Sequence, residues 1–192
     1  DIEALNLYSE LDNYVLERTW QTIATWYNTY KRRVPLASNI TAVEFQAPNF
    51  VSNIQYLLIK YEIPPIYLEL EVTESVVITD IELVMKTIVI LQNMGIKVSI
   101  DDFGTGYSSL AYLRKLPIDK IKIDRSFIME VATNDSDLTI VKTMVELSHG
   151  LGKRVLAEGV ETQQQLQLLR NIGCDAVQGY FISKPISEEE FT

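Results

Sequence analysis

The residues that decide the fold run from 93 to 128 and read NMGIKVSIDDFGTGYSSLAYLRKLPIDKIKIDRSFI. This stretch contains two predicted strands, at 97–101 and 120–124, separated by a glycine-rich loop and a short helix. Asp101 and Asp102 stand side by side where the first strand stops. Two adjacent carboxylates at a strand end, next to a flexible loop, offer the hard oxygen ligands that Mg²⁺ or Mn²⁺ prefers. The stretch therefore predicts a divalent-cation site.

The composition is typical of one soluble globular domain. The chain has 192 residues, of which 47% are hydrophobic and 22% charged, and this is enough to build a substantial core. The net charge of −9 argues against a broad nucleic-acid-binding surface, so we expect neither DNA nor RNA as a partner. A single cysteine, Cys174, cannot form an internal disulfide, which favours a reducing setting. No apolar run reaches the roughly 18–20 residues of a membrane span. We therefore expect a cytoplasmic location, and a membrane anchor on a longer parent chain stays open.

Six predicted strands alternate with helices along the chain. The strands are expected at 34–40, 66–72, 97–101, 120–124, 154–158 and 175–178. The longer helices are expected at 9–31, 50–61, 81–94, 137–151 and 161–171, with a last helix starting in the C-terminal SEEEFT. Alternation at this spacing predicts a parallel sheet, and it fits both a doubly wound sheet and a closed barrel.

The faces of the strands distinguish these two folds. Parallel strands covered on both sides should be continuous apolar runs. Here apolar residues alternate with polar ones, which are Glu69, Glu71, Lys97, Ser99, Asp101, Lys120, Lys122 and Asp124. Either one sheet face is open to water, or the charged face lines the lumen of a barrel with an active site at its carboxyl-terminal mouth. The lumen fits parallel strands better. We predict an α/β fold, a TIM-type (β/α)8-like barrel of which about six β/α units are visible.

Polar side chains stand near the carboxyl end of every predicted strand. They are Asn39, Glu71, Asp101 with Asp102, Lys122 with Asp124, Glu158 and Gln178. In a parallel barrel these ends lie on one face, so residues scattered over about 140 positions converge. The set is rich in oxygen, and the chain has no cysteine cluster and one histidine, His149. These donors predict Mg²⁺ or Mn²⁺ rather than zinc.

Four motifs then suggest a family. They are IDDFGTGYSSL at 100–110, KID at 122–124, AEGVET at 157–162 and QGY at 178–180. Together, and in this order, they resemble those of the EAL domain, the family of cyclic di-GMP phosphodiesterases. The resemblance extends from about residue 9 to the end. It implies hydrolysis of one phosphodiester of cyclic di-GMP, giving linear pGpG, at a two-metal site. Lys122 would lie near the attacking water and the phosphate as a charge stabiliser.

The resemblance also implies two metal sites that share one ligand, Asp101. Asn39 and Glu71 would hold the first metal together with Asp101. Asp102 and Glu158 would serve the second, so that Asp101, Asp102 and Glu158 belong to the catalytic set with the lysine.

Five further residues receive roles from the resemblance. Gln178 and Pro185 would lie near the guanine or the wall of the active site, and Asp124 either contacts substrate or simply caps the helix that follows it. Glu74 would hold the DDFGTG loop in place. Glu161 either supports the neighbouring metal ligand or caps its own helix.

The sequence departs from the family pattern near its start. The tripeptide Glu-Ala-Leu for which the family is named occurs at 3–5, and Glu3 would complete the first metal site. Leu7 stands where an arginine for the phosphate is expected, and the predicted helix begins almost at once, at Ser9. Two strands of an eight-stranded barrel are not found. Residues 1–192 are therefore predicted to form a single EAL-like domain whose N-terminal strands are missing or shortened. Three explanations of the tripeptide are open. It is the true family motif, it is a chance occurrence, or the protein is a remnant that binds without catalysis.

Three functions follow from these features. The first is a cyclic di-GMP phosphodiesterase that depends on Mg²⁺ or Mn²⁺. The alternative is a catalytically inactive EAL-like module that binds cyclic di-GMP or a protein partner. The third is an unrelated metal-dependent barrel enzyme. We also expect a homodimer, and additional sensory or GGDEF domains on a parent chain are compatible with the sequence.

Overall fold

Six strands form a single sheet. The computed structural model describes residues 8–106 and 110–191. The strands are β1 (Leu36–Ile40), β2 (Leu68–Thr73), β3 (Lys97–Phe103), β4 (Lys120–Ile123), β5 (Arg154–Ala157) and β6 (Ala176–Val177). Their order in the sheet is the order of the chain, and the pairs β1–β2, β4–β5 and β5–β6 are parallel. The prediction of a parallel sheet with intervening helices is confirmed.

Helices follow the strands in alternation. They are α1 (Tyr8–Asn28), α2 (Ala42–Phe45), α3 (Phe50–Tyr61), α4 (Glu74–Thr79), α5 (Ile81–Asn93), α6 (Leu110–Leu113), α7 (Arg125–Ile128), α8 (Asp135–Gly150), α9 (Gln163–Asn171) and α10 (Glu188–Phe191). A short 3₁₀ turn, Pro65–Tyr67, precedes β2. The short helices α2 and α4 were not predicted from the sequence.

The chain divides into two compact units, Asp1–Ser99 and Ile100–Thr192, and β3 begins in the first and ends in the second. In the first unit, α1 packs against β1 and α3. Leu16, Trp20 and Ile23 are buried along one face of α1, at the spacing of helical turns. Burial of this apolar stripe explains why residues with an ordinary local propensity form the longest helix.

The second unit has its own apolar core. It is built around β4, β5, α8 and α9 and consists of Ile123, Ile128, Val131, Val141, Val145, Val155, Ala157, Val160 and Leu169. Side chains alternate across a strand, so the burial of Ile121 and Ile123 on one side of β4 directs Lys122 to the other. Packing of this core therefore determines the orientation of the polar residues at the ends of β4 and β5.

Two polar side chains, Lys153 and Asp175, stabilise the segments that flank β5 in the second unit. Lys153 is buried, and its Nζ donates to the carbonyl oxygen of Leu116 at 2.6 Å. Burial lowers the pKa of Lys153, and the charge of Asp119 opposes that effect. Asp175 accepts hydrogen bonds from the Val155 N–H at 2.7 Å and pairs with His149 Nε2 at 2.8 Å. Burial acts to raise the pKa of Asp175, but these contacts together lower it.

Some predicted boundaries are wrong, and for the start of α9 local hydrogen bonds explain why. The strand predicted at 97–101 continues to Phe103, and β6 contains only Ala176–Val177. The helix predicted from Glu161 begins at Gln163. Thr162 is its N-cap, because its side chain accepts from the Gln165 N–H while the Gln165 side chain accepts from the Thr162 N–H. The alternative role of Glu161 as a helix cap is therefore wrong.

The side chain of Gln165 also binds backbone groups outside this capping box. Its Oε1 also accepts from the Glu161 N–H at 2.8 Å, and its Nε2 donates to the carbonyls of Ile128 and Met129 at 3.0 and 3.1 Å. We expect Gln165→Ala to lower the free energy of unfolding by about 2–4 kcal/mol, because buried backbone groups lose their partners. Urea denaturation measures the change.

The control for this prediction is Gln163→Ala. Gln163 lies in the first turn of the same helix and is exposed. We expect it to change the free energy of unfolding by less than about 0.5 kcal/mol. Equal effects of the two substitutions would contradict the role given to the Gln165 side chain.

Candidate functional site

The site in the second unit begins with the backbone at the end of β3. Side chains of consecutive strand residues normally point to opposite faces. Asp102, however, has a left-handed backbone with φ of 52°, and its N–H donates to Asp101 Oδ1 at 3.0 Å. A positive φ is uncommon for a residue other than glycine, although aspartate tolerates it better than most. This turn keeps the two neighbouring carboxylates together.

Glu158 joins these two aspartates just after β5. Carboxylate oxygens of Asp101, Asp102 and Glu158 all lie within 4.8 Å of one another, and we call these three residues the carboxylate cluster. The Glu158 N–H donates to the carbonyl of Ile123 at 3.1 Å, which continues the pairing of β5 with β4 beyond the strand end. The sequence prediction that these three carboxylates meet is confirmed.

Lys122 reaches the carboxylate cluster from β4. Its Nζ lies 2.9 Å from Asp101 Oδ1 and 2.8 Å from Glu158 Oε1. The residue is only 3% exposed. A buried ammonium requires anionic partners, and these two ion pairs supply them.

Burial and mutual repulsion raise two of the carboxyl pKa values. Burial raises the pKa of Asp102, the charges of Asp101 and Asp124 add to the effect, and Lys122 opposes it. Burial also raises the pKa of Glu158, and the hydrogen bond from Lys122 acts in the opposite direction. One ammonium therefore does not fully compensate three carboxylates, and a further cation would favour their ionised forms.

The donor set fits a hard divalent cation. The cluster offers three carboxylates, with no histidine or cysteine among its members. Oxygen donors of this kind suit Mg²⁺ or Mn²⁺, whereas zinc sites usually include nitrogen or sulfur ligands. The residues present therefore fit the metal site expected from the sequence, although the donors do not discriminate between these two ions.

An open cleft of about 180 Å³ lies beside the cluster. It is lined by Arg125, Glu158, Gly159, Glu161, Gln178, Gly179 and Tyr180, and we call it the Gln178 cleft. Its floor is held by backbone pairing, since the Gln178 N–H donates to the Ala157 carbonyl at 2.8 Å and the Val160 N–H donates to the Gln178 carbonyl at 3.0 Å. The cleft therefore combines an amide, a guanidinium, carboxylates and an aromatic ring next to the carboxylate cluster.

Arg125 lines the Gln178 cleft and contacts two other residues that line it. Its Nη2 donates to Glu161 Oε1 at 2.7 Å. Gly159 has φ of 72°, and a Cβ there would lie 2.2 Å from Arg125 Cγ. Glycine at 159 thus leaves the space that the arginine side chain occupies.

The other residues singled out from the sequence lie as follows. In the first unit, Asn39 and Glu71 are register partners in β1 and β2, with Asn39 exposed and Glu71 buried. Glu74 is buried at the start of α4. Pro185 is exposed between the last strand and α10. Glu3 lies outside the described residues. The roles given to these residues stay predictions.

Asp124 has a clear local function. Its Oδ1 accepts from the Ser126 N–H at 3.0 Å, which caps α7. The helix-cap alternative is confirmed, and contact of Asp124 with substrate stays a prediction. Arg125, the next residue, was missed by the sequence analysis. Its partner Glu161 is 36 positions away, and no periodic pattern connects the two.

Comparison with known proteins agrees with these motifs. The family model described as the EAL domain matches residues 1–185. The chain belongs to the EAL domain family. The cyclic di-GMP phosphodiesterase NbdA of Pseudomonas aeruginosa is 39% identical over 184 residues, which are 96% of this chain and 24% of that protein. This chain therefore spans about a quarter of the length of that curated relative.

Solved structures share the fold. The structure of the PaMucR phosphodiesterase in its c-di-GMP complex has a TM-score of 0.93 and 35% identity, covering 100% of this chain and 77% of that one. The EAL domain of Mycobacterium smegmatis DcpA has a TM-score of 0.89 and 39% identity, covering 95% and 82%. The predicted fold class, a TIM-type (β/α)8-like fold, is confirmed. Among the described residues, no helix has both the length and the apolar character that crossing a membrane requires.

The packing of Gly159 against Arg125 yields a prediction. We expect Gly159→Ala to lower the free energy of unfolding by about 2–4 kcal/mol, because the new methyl group meets both backbone strain and the arginine side chain. Gly152→Ala is the matched control, since Gly152 has the same φ of 72° and a Cβ there would find nothing within 4 Å. It should cost only the strain, about 1–2 kcal/mol.

Urea denaturation of the two variants separates these contributions. Adding Arg125→Ala to Gly159→Ala should recover part of the cost, because Cγ and Cδ are removed while the Cβ of residue 125, which lies 2.8 Å from the position of the new methyl group, is kept. If the arginine truncation leaves the cost of Gly159→Ala unchanged, the clash with Cγ and Cδ is not its cause.

Proposed function

We propose that this EAL domain is a metal-dependent phosphodiesterase that hydrolyses cyclic di-GMP to linear pGpG. The observation that carries the proposal is the carboxylate cluster with Lys122 at its centre, formed at the carboxyl ends of three neighbouring strands. Relatives named as cyclic di-GMP phosphodiesterases support the choice of substrate.

The carboxylate cluster is proposed to hold the metal. Asp101, Asp102 and Glu158 contribute anionic oxygens that are already close together and only partly hydrated. Asn39 and Glu71 are proposed as additional ligands, on the family resemblance and on their direct pairing in the sheet. Glu3 is proposed on the resemblance alone. Divalent cations bound there supply Lewis-acid activation of water and stabilisation of charge at phosphorus.

Lys122 is proposed to act on the phosphate. Its two carboxylate partners place the ammonium beside the cluster. A positive charge fixed near the reacting phosphorus stabilises the negative charge that develops in the transition state. The low exposure of Lys122 strengthens this interaction, because water screens it weakly.

The Gln178 cleft is proposed to bind part of the nucleotide. Its opening next to Glu158 would place a bound base beside the reacting phosphate. The Gln178 amide can both donate to and accept from a guanine edge, and Tyr180 offers a ring at the same cleft. We further propose that Pro185 and Asp124 lie near the nucleotide, and that Glu161 acts by supporting the ligand Glu158.

Other expectations stay proposals for this domain. Glu74, buried at the start of α4, is proposed to hold the loop that follows the two aspartates. A homodimer, a cytoplasmic location and further domains on a parent chain are proposed on the resemblance. The second candidate function is a module that binds cyclic di-GMP without hydrolysing it, and the leucine at position 7 favours it because it cannot bind phosphate.

Hydrolysis is tested directly with cyclic di-GMP and Mn²⁺, with the nucleotides resolved by chromatography. We expect a pGpG product that disappears with a chelator. We expect Asp101→Asn to reduce the rate by about 100-fold or more, because it removes an anionic ligand and a partner of Lys122.

The control is Glu146→Gln, an exposed carboxylate of α8 in the same unit. It should keep the wild-type rate, because its weak pair with Lys142 is solvent-exposed. If no product forms and cyclic di-GMP binds saturably, the proposed enzyme function is wrong and the binding module is supported. Absence of both product and binding would contradict both functions.

A further inference from the structure

Lys122 occupies the place at the carboxylate cluster where a bound cation would find its ligands. Its Nζ is within 3 Å of one oxygen of Asp101 and one oxygen of Glu158. The same two residues, with Asp102, form the group of carboxylates close enough to share one ion. The ammonium and a metal ion would therefore share two of the three carboxylates.

These contacts matter because the lysine is almost inaccessible to water. The side chain of Lys122 is 4% exposed, and those of Asp101 and Glu158 are 12% and 18% exposed. Ion pairs at such depth are weakly screened, and removing one partner leaves the other charges buried without compensation. In the absence of a metal ion, the lysine is thus the positive charge that holds together carboxylates from β3 and from the end of β5.

We propose that Lys122 is a built-in cation that stabilises the metal-free carboxylate cluster and competes with the incoming divalent ion for Asp101 and Glu158. Metal loading then requires the ammonium to leave at least one of these oxygens. The long, flexible lysine side chain permits such a movement without a change in the strand. The competition of Lys122 with a metal ion rests on the proposed metal-dependent function, whereas the stabilisation of the carboxylate cluster by Lys122 does not.

This competition has a consequence for metal affinity. The wild-type protein binds a metal more weakly than the bare set of carboxylates would, because the ion pairs of Lys122 must first be broken. The wild type also keeps its cluster intact at low metal concentration, since the lysine replaces the missing charge. Replacing Lys122 with a neutral residue should strengthen metal binding and destabilise the carboxylate cluster at low metal concentration.

The experiment compares chelator-stripped wild type with Lys122→Met, which keeps much of the side-chain length and removes the charge. Free Mn²⁺ is followed by electron paramagnetic resonance during a titration, so no nucleotide and no activity is involved. We expect Lys122→Met to bind Mn²⁺ at least about tenfold more tightly than the wild type. The free energy of a tenfold change in affinity is smaller than that of one charge–charge contact at partial burial. The melting temperature of Lys122→Met should rise more on saturation with Mn²⁺ than that of the wild type.

Lys153→Met is the matched control. Lys153 is also a buried lysine of the second unit, but its Nζ donates to the backbone carbonyls of Leu116 and Ile118. Its removal changes the net charge equally and should leave the Mn²⁺ affinity at the wild-type value. Equal tightening in both variants would overturn the proposal, because a general change of charge would then be sufficient.

The remaining outcomes are also decisive. If Lys122→Met unfolds in chelator, the proposal requires Mn²⁺ to restore its folding, and failure to fold in Mn²⁺ overturns it. If the wild type binds Mn²⁺ and Lys122→Met binds no more tightly, the competition is wrong while the proposed metal site stands. If neither protein binds Mn²⁺, the proposed metal site itself is wrong, and the competition fails with it.

Discussion

The two ion pairs of Lys122, one with Asp101 and one with Glu158, join the ends of three neighbouring strands at a buried position. Burying an ammonium costs free energy unless anionic partners compensate it, so these residues depend on one another. Asp102 adds a third carboxylate, and the single lysine does not balance all three. We propose that this surplus of negative charge in a poorly hydrated place gives the site an affinity for a cation. The proposed chemistry and the stability of the site would then depend on the same few atoms.

Backbone features place the other groups around these ion pairs. The left-handed conformation of Asp102 keeps two consecutive carboxylates together, where a regular strand would separate them. Gly159 leaves room for Arg125 in the Gln178 cleft. Gln165 binds four backbone groups and fixes the turn between Glu158 and α9. Asp102 and Gly159 are residue types that tolerate a positive φ, and Gln165 has an amide that can both donate and accept hydrogen bonds.

Much of this arrangement could be predicted from the sequence, because it depends on strand ends. Alternating polar and apolar residues identified the strands, and parallel strands bring their carboxyl ends to one edge, so the meeting of Asp101 with Glu158 followed. The start of α9 was predicted two residues too early, although Thr162 and Gln165 have the spacing of a capping box, which marks a helix start in sequence. The pairing of Arg125 with Glu161 could not be predicted, because these side chains lie 36 positions apart and no periodic signal connects them.

We propose above that the carboxylate cluster binds a divalent metal ion. Anomalous diffraction at the manganese edge, from crystals of the protein grown with Mn²⁺, tests it most directly. We expect an anomalous peak within bonding distance of carboxylate oxygens of Asp101, Asp102 and Glu158, with Lys122 Nζ moved away from at least one of its partners. Anomalous peaks found only at other positions, with the ion pairs of Lys122 intact, would contradict it.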